Sequence, residues 1–414
     1  MLEFFFANPL LGALVAVLWA GLLLYGLSAG WWLLEALVLA RGWRVADGDR
    51  PWGPDDVQVR ILTVDAEPVV QATVNAVPNT IADVRVVAES ELSIDGATVH
   101  VVPDDFDCAA VRKGRAVEWA RQNVPCEAEY VLYLDEDTIM TGFDGLPDAD
   151  IVQFTEKPIY TGSRLAYLCE VFRVGYQLEQ LGFHRLRYPL YAWGGGIAVR
   201  ASLEDAVTWD ARTITEDTNF IWRAAAAGDL SYRLLDTRFR NQAPPSVRQL
   251  IRQRRRWISG TIADGHILPR RYRPLYYTRV VVWGLSPLVP LVALAASLAP
   301  GQLPTLEWYG PTAAGLAGIL FVYMGGGLIA YRKHPLLWLP VLALTPVAVV
   351  THAIGALWGI FQPATTFDVT EKVVPETIET LHDELEPGEL ETHQGTDRLL
   401  RESDEAFESS VFGD

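Results

Sequence analysis

The sequence predicts an α/β domain with a mainly parallel sheet, set between membrane-spanning helices. Three observations predict it. Long apolar runs occupy residues 9–40 and roughly 276–361, and about 20 apolar residues span a bilayer as a helix. Between them, β-branched segments alternate with segments of helical apolar spacing, the pattern of a parallel sheet covered on both faces. One apolar segment, EYVLYLD (129–135), runs straight into Asp135, Glu136 and Asp137. In open α/β sheets the carboxyl ends of the strands form the ligand edge.

The elements follow in order. The run PLLGALVAVLWAGLLLYGLSAGWWLLEALVLA is too long for a signal-peptide core and is followed by no small-residue cleavage site, so it reads as a retained anchor. It fits one tilted helix plus an interfacial stretch around Trp31, Trp32 and Glu35. VQVRILTV (57–64), VRVVAE (84–89), TVHVV (98–102), EYVLYLD, DIVQF (150–154), IAVR (197–200) and YRLLD (232–236) read as strands. Helical spacing marks 67–77, 108–124, 163–182 and a segment near 216–227. There is no internal repeat. The organisation expected is an anchor over 1–45, the α/β domain over 46–245, an amphipathic interface helix over 246–275, a membrane region over 276–366 and a tail over 367–414.

The formal net charge is −17. The tail from 371 to 414 carries 14 acids against Lys372, Arg398 and Arg401, and such a block is usually solvated. Only four of the 34 basic residues are lysine. Scarce lysine beside abundant acid is the composition of a salt-adapted, halophilic cytoplasm of the haloarchaeal kind. The acidic balance argues against nucleic acid as a partner, since that needs a basic footprint. Cys108, Cys126 and Cys169 have no metal-ligand spacing and an odd count, so they read as small free thiols rather than a disulfide framework.

Basic residues set the orientation. Arg41, Arg44 and Arg50 follow the first apolar run, and Arg270, Arg271 and Arg273 precede the second region. Arg332, Lys333 and His334 sit between later runs, whereas the loop 300–310 has no lysine or arginine. The positive-inside rule then places the α/β domain in the cytoplasm and that loop outside, as a multi-pass protein of the cell membrane.

In strand geometry Asp135 and Asp137 point to one side and Glu136 to the other. Paired acids at a ligand edge suit a hard cation, and such cations bind phosphates. Three further stretches add chemistry. In TITEDTNF, Glu216 and Asp217 open a helix with Thr215 as a plausible N-cap; alone, this equally reads as first-turn acids favoured by the helix dipole. In VRQLIRQRRRWISG, an apolar face opposes Arg248, Arg252, Arg254, Arg255 and Arg256. That suits a helix on anionic lipid, or a clamp on a diphosphate with Trp257 stacking on a sugar. In YAWGGGIAVR, three glycines let the backbone approach a ligand, or simply turn before a strand.

Taken in order, D-x-D (Asp135, Asp137), G-G-G (Gly194, Gly195, Gly196), T-E-D (Thr215, Glu216, Asp217) and Q-R-x-R-W (Gln253, Arg254, Arg256, Trp257) resemble family 2 glycosyltransferases. The likeness is to the membrane-integrated branch of cellulose, chitin and hyaluronan synthases, and covers roughly 57–372. VVPDDFD, YLDEDT, FRVGYQLEQLGF and FDVTEK (367–372) further resemble egghead-type β-mannosyltransferases. FDVTEK also resembles the gating-loop motif of cellulose synthases, through Phe367, Val369, Thr370 and Lys372.

The resemblance implies a GT-A, Rossmann-like fold and a single inverting displacement at the anomeric carbon. The donor is a UDP- or GDP-linked sugar, and the acceptor a lipid-linked molecule or glycan. It implies that Asp135 helps hold the nucleotide, and that Asp137, with Asp135, binds Mg²⁺ or Mn²⁺ on the diphosphate. Asp217 is then the general base, with Glu216 orienting it or shaping the acceptor site. Gln253, Arg254 and Arg256 face the diphosphate, Lys113 lies near the nucleotide, and Trp193, the three glycines and Trp257 border the acceptor. Two strand ends depart from the family pattern: the first reads Asp65-Ala66-Glu67, and the second ends at Glu89. All three acids are assigned to the nucleotide. A processive, product-exporting polysaccharide synthase and a non-catalytic sugar-nucleotide sensor are the alternatives. A metal-dependent phosphotransferase is disfavoured, because TVDAEPVV offers no phosphate-cradling glycine loop.

The C-terminal topology carries a conflict. Three single crossings would put FDVTEK outside, away from the acids. Pro340 and Pro346 interrupt the last run. The expectation is therefore a re-entrant segment, with 349–361 at the cytoplasmic interface and FDVTEK and the tail inside.

Overall fold

The computed structural model describes residues 7–285, 306–331, 333, 335–365 and 370–376. Phe367, Val369, most of the 300–310 loop, Arg332, His334 and nearly all of the acidic tail lie outside the described residues.

Seven strands form one sheet: β1 (Val57–Thr63), β2 (Val84–Ala88), β3 (Thr98–Val101), β4 (Tyr130–Asp135), β5 (Ile151–Ile159), β6 (Ile197–Arg200) and β7 (Tyr232–Gln242). Their spatial order is β3-β2-β1-β4-β6-β5-β7. All neighbours are parallel except β6, which runs antiparallel to β4 and β5. The architecture is mixed α/β with mostly parallel strands. β1, β4 and β5 are buried almost end to end, which explains their continuous apolar reading.

The covering helices are α2 (Glu67–Asn75), α3 (Lys113–Asn123), α4 (Arg164–Tyr176), α5 (Ala201–Val207) and α6 (Glu216–Ala227). α1 (Pro9–Leu34) precedes them. After β7 come α7 (Val247–Asp264), α8 (Arg273–Leu285), α9 (Leu306–Ala330), α10 (Pro335–Ala343) and α11 (Thr345–Phe361).

Several boundaries differ from expectation. α3 begins at Lys113, not near 108, because Asp210 Oδ1 takes the amides of Ala109 and Ala110 and holds them outside the helix. α4 ends at Tyr176 and continues as 3₁₀ turns over Gln177–Arg185. β5 and β7 each run longer than predicted, pairing as far as Ile159 and Gln242. Buried Glu156 and Lys157 lie on that extension and masked it as strand. α1 does not break at Trp31; it passes into a π-helical turn, Glu35–Leu39, with Glu35 buried 3.7 Å from Arg279 Nη1.

Among the described residues, two helices, Pro9–Leu39 and Glu307–Ala330, are long and apolar enough to cross a membrane. α10 and α11 qualify only as a pair, bent by 57° at the break between them. Leu344, just before Pro346, occupies that break. α11 packs directly on α7. A Cβ at Gly355 would lie 2.4 Å from the Ile251 carbonyl oxygen, and one at Gly359 would lie 2.0 Å from Ile258 Cγ2. Only glycine permits backbones this close. The three cysteines are free thiols, Cys169 buried and the other two half-buried.

Candidate active site

The site forms where β4, β6 and the start of α6 meet α3 and α7. Asp135 ends β4, and Lys113 opens α3 opposite it. Lys113 Nζ lies 2.6 Å from Asp135 Oδ1, 3.3 Å from Glu216 Oε1 and 3.9 Å from Asp217 Oδ1. One ammonium thus gathers three acids from two separate motifs. Burial alone would pull its pKa down, but the three carboxylates raise it above the ordinary lysine value. Asp135 is held below the usual carboxylate range, because Lys113 and then Lys372 outweigh its burial.

Asp217 behaves oppositely. Its carboxyl is pushed up to about 7, chiefly by burial, with Glu216 and Asp135 adding to the rise and Lys113 opposing it. A carboxylate poised near neutrality suits proton abstraction. Gly194 sits against this group: a Cβ there would fall 2.2 Å from Lys113 Nζ and 2.7 Å from Asp217 Oδ1. A Cβ at Gly195 would fall 2.3 Å from the Trp193 ring and 2.7 Å from Thr138 Oγ1. Gln153 fixes the turn, donating to the carbonyls of Trp193 (3.1 Å) and Gly196 (2.6 Å).

Asp137 Oδ1 is 2.6 Å from Lys372 Nζ, and its Oδ2 accepts from the Gln242 backbone amide at 2.8 Å. Gln242 also clasps the backbone of Val373 through both side-chain atoms, at 2.7 and 2.8 Å. Thr370 and Lys372, the described part of FDVTEK that lines the cavity, therefore lie on the same side as the acids. Glu136 turns toward β1, where Thr63 donates to it at 2.7 Å. Burial raises its pKa, and that hydrogen bond only partly offsets the rise.

The residues fit a divalent cation. Asp135 and Asp137 line one cavity, and each already neutralises an ammonium. Among the described residues no group of three or more His, Cys, Asp and Glu side chains is placed to hold a metal ion by itself. A cation here would complete its oxygen shell from a diphosphate and water, as small hard cations commonly do.

On α7, Gln253, Arg256 and Trp257 line the cavity. Arg254, expected beside them, does not. It is fully buried, paired with Glu170, 3.2 Å from His352 Nδ1, and its guanidinium lies 4.1 Å over the Trp257 ring. At about 100° per residue, 253, 256 and 257 fall within one third of the helix circumference, and 254 lies about 60° beyond Trp257, where it turns to Glu170 and His352 instead of the cavity. Burial lowers the Arg254 pKa to about 10 despite Glu170. Thr215 occupies the N-cap position of α6 without a capping bond; its hydroxyl instead donates to Asp264 Oδ2 at 3.2 Å.

Glu89 lines the cavity, 3.1 Å from Arg115 Nη1. Asp65 and Glu67 are exposed and outside the lining, Glu67 accepting from the Ser93 amide. α2 starts at Glu67, so the loop after β1 turns outward. Sequence reading missed Gln153, Gln242, Arg112 and Arg115. A glutamine inside DIVQF was a visible signal for Gln153; the other three carried none.

The cavity measures about 700 Å³. From the acids it continues between the apolar helices, past Ala29, Val280, Leu320, Tyr323, Val349 and Ala353. These residues come from α1, α8, α9 and α11.

The model of glycosyl transferase family group 2 matches residues 130–361, more than half the chain. A search of curated proteins finds no match. Among solved structures, a mannosyltransferase from Pyrobaculum calidifontis, in complex with GDP-mannose and Mn²⁺, is similar in fold. It has 17% identity and a TM-score of 0.50, over 86% of this chain and 99% of that one. Glucosyl-3-phosphoglycerate synthase from Mycobacterium tuberculosis also matches, in a complex with Mn²⁺, UDP and glucosyl-3-phosphoglycerate. There the identity is 14% and the TM-score 0.34, over 52% of this chain and 82% of that one. The sheet is thus of the GT-A kind, and the chain belongs to glycosyl transferase family group 2.

Proposed function

We propose that this chain is an inverting, metal-dependent glycosyltransferase. It moves a sugar from a nucleoside-diphosphate donor to a hydroxyl on a lipid-linked acceptor at the cytoplasmic face of the membrane. The observation that carries this reading is the single cavity joining the acid cluster to apolar residues of α1, α8, α9 and α11. A lipid-borne acceptor can lay its apolar tail along such a wall while its hydroxyl reaches the acids.

Asp217 takes the proton from the acceptor hydroxyl as that oxygen bonds to the anomeric carbon. The bond from that carbon to the diphosphate breaks on the opposite face, and the nucleoside diphosphate leaves with the electron pair. Inversion follows from a single displacement. A phosphate acceptor is already ionised and needs no base, so a base at this position favours a hydroxyl nucleophile. Lys113, between Glu216 and Asp217, holds both acids beside one ammonium. Arg256 and Lys372 supply positive charge for the diphosphate, and Trp193 and Trp257 flank the acceptor. Asp135 and Asp137 would hold Mg²⁺ or Mn²⁺, which when bound neutralises charge on the leaving group. The Mn²⁺ and GDP-mannose in the Pyrobaculum structure support the donor class and the metal.

The test is nucleoside-diphosphate release by purified protein in native lipid extract and high salt, with Mn²⁺ or Mg²⁺. UDP-glucose, UDP-N-acetylglucosamine, UDP-galactose and GDP-mannose serve as donors, beside Asp217→Asn. Release from one donor, absent in the variant, with label appearing in the lipid fraction, is expected. Label that partitions only into water would sink the lipid acceptor.

A further inference from the structure

A second cleft, of about 440 Å³, shares no residue with the catalytic cavity. Val247, Arg248, Ile251, Arg252 and Trp358 line it. Arg248 and Arg252 make no hydrogen bond or ion pair among the described residues. They stand one turn apart on α7, with Cβ atoms about 5–6 Å from each other in such spacing.

The cleft is rigid on its other side. Arg255 lies 4.2 Å over the Trp358 ring and donates to the Gln362 carbonyl at 2.9 Å. Trp358 Nε1 donates to Gln362 Oε1 at 3.1 Å. With the glycine contacts of α11, these fix the basic face of α7 relative to an apolar helix. That helix turns Val350, Ile354, Trp358 and Phe361 outward, 41%, 41%, 38% and 69% exposed. Their spacing makes one continuous stripe. An exposed apolar stripe of this kind is covered by lipid in a membrane protein, and a tryptophan one turn before its end marks the headgroup level.

We propose that this cleft seats the phosphodiester of an anionic phospholipid, with Arg248 and Arg252 on the phosphate and the acyl chains along Val350 and Ile354. Guanidinium groups bind phosphate oxygens bidentately, and the floor of Val247 and Ile251 gives a free phosphate nothing to rest on. The proposal rests on the reading of the chain as a membrane protein. The bound lipid would hold α7, and so Gln253, Arg256 and Trp257, at a fixed depth beside the bilayer.

The full chain is reconstituted in vesicles, and association of spin-labelled phosphatidylglycerol is compared with that of spin-labelled phosphatidylcholine. Resistance to an alkaline carbonate wash tests the membrane reading separately. The expected result is a several-fold preference for phosphatidylglycerol that salt weakens. Arg248→Gln with Arg252→Gln abolishes it, Arg248→Lys with Arg252→Lys keeps part of it, and Arg270→Gln with Arg271→Gln leaves it intact. Equal binding of the two lipids, no loss in the first pair, or the same loss in the last pair overturns the proposal. So does displacement of the labelled lipid by millimolar inorganic phosphate. A preference that emerges only after removal of residues 377–414 would assign the arginines to the acidic tail and overturn it as well.

Discussion

Lys372 Nζ stands 2.6 Å from Asp137 Oδ1, and the next residue, Val373, is clasped on both backbone atoms by Gln242. An ammonium thus rests on an acid assigned to the cation. Mn²⁺ binding to the donor-free protein has to move it. Lys372→Met should therefore tighten Mn²⁺ binding in the absence of donor by about tenfold, the equivalent of about 1.4 kcal/mol. Electron paramagnetic resonance titration of free Mn²⁺ measures it. An unchanged affinity would show that the two cations do not compete.

Asp217→Asn should lower transfer by about 10² to 10⁴-fold, the usual worth of a positioned base, while donor binding persists. With the Asp217 carboxyl pushed up to about 7, the wild-type rate should rise with pH through that value. Stopped assays across pH 5.5–8.5, a range of about three units around neutrality, give the profile. A flat profile with chemistry rate-limiting would remove Asp217 from the role of base.

The same shift has a consequence for stability. A carboxyl whose folded pKa lies above its unfolded value binds more protons folded than unfolded. Stability at this site is therefore lost as pH rises from about 4 to about 7. Asp217→Asn escapes that loss, and Lys113 keeps Asp135 and Glu216 as partners. The variant should melt about 2–4 °C higher at pH 7.5 and show no gain at pH 4. A lower melting point at pH 7.5 would contradict the sign.

Arg254 and Arg256 should separate cleanly. Arg254→Ala strips a buried charge from Glu170, at a cost of about 3–5 kcal/mol, and should appear as loss of folded protein. Arg256→Ala faces the cavity and should raise the donor KM with the fold intact. Thermal melts beside donor titrations distinguish them; a stable, inactive Arg254→Ala would reverse the assignment.

Gly194→Ala places a methyl against Lys113 Nζ and Asp217. Both are ends of side chains that can move, so the fold should tolerate it while transfer falls at least tenfold. Full activity would mean that the Lys113–Asp217 arrangement is not needed.

Much of this was legible in the sequence, and the misses have causes. Strand periods and apolar runs are local, so β1, β4, α6 and the membrane-length helices were readable. β5 was cut short because Glu156 and Lys157 look like a loop; burial with Arg173 and the aromatic ring of Tyr331 makes them strand. The acids of D-x-D and T-E-D were found by type and position. Arg112, Arg115 and Gln242 were not, because no local pattern separates them from surface residues.

What the sequence alone determined is the order of elements, the apolar segments and the set of chemical groups, because composition and period are properties of neighbouring residues. The tertiary structure decided which groups meet. It put one lysine among Asp135, Glu216 and Asp217, brought Lys372 onto Asp137, and turned Arg254 inward while Arg256 faces the cavity. These outcomes depend on how α3, α7 and α11 are rotated and seated, and close contact of Gly355 and Gly359 with the α7 backbone, and of Gly260 with the Thr215 side chain, fixes that rotation for α7. Contacts of that kind join residues far apart in the chain, and no local pattern encodes them.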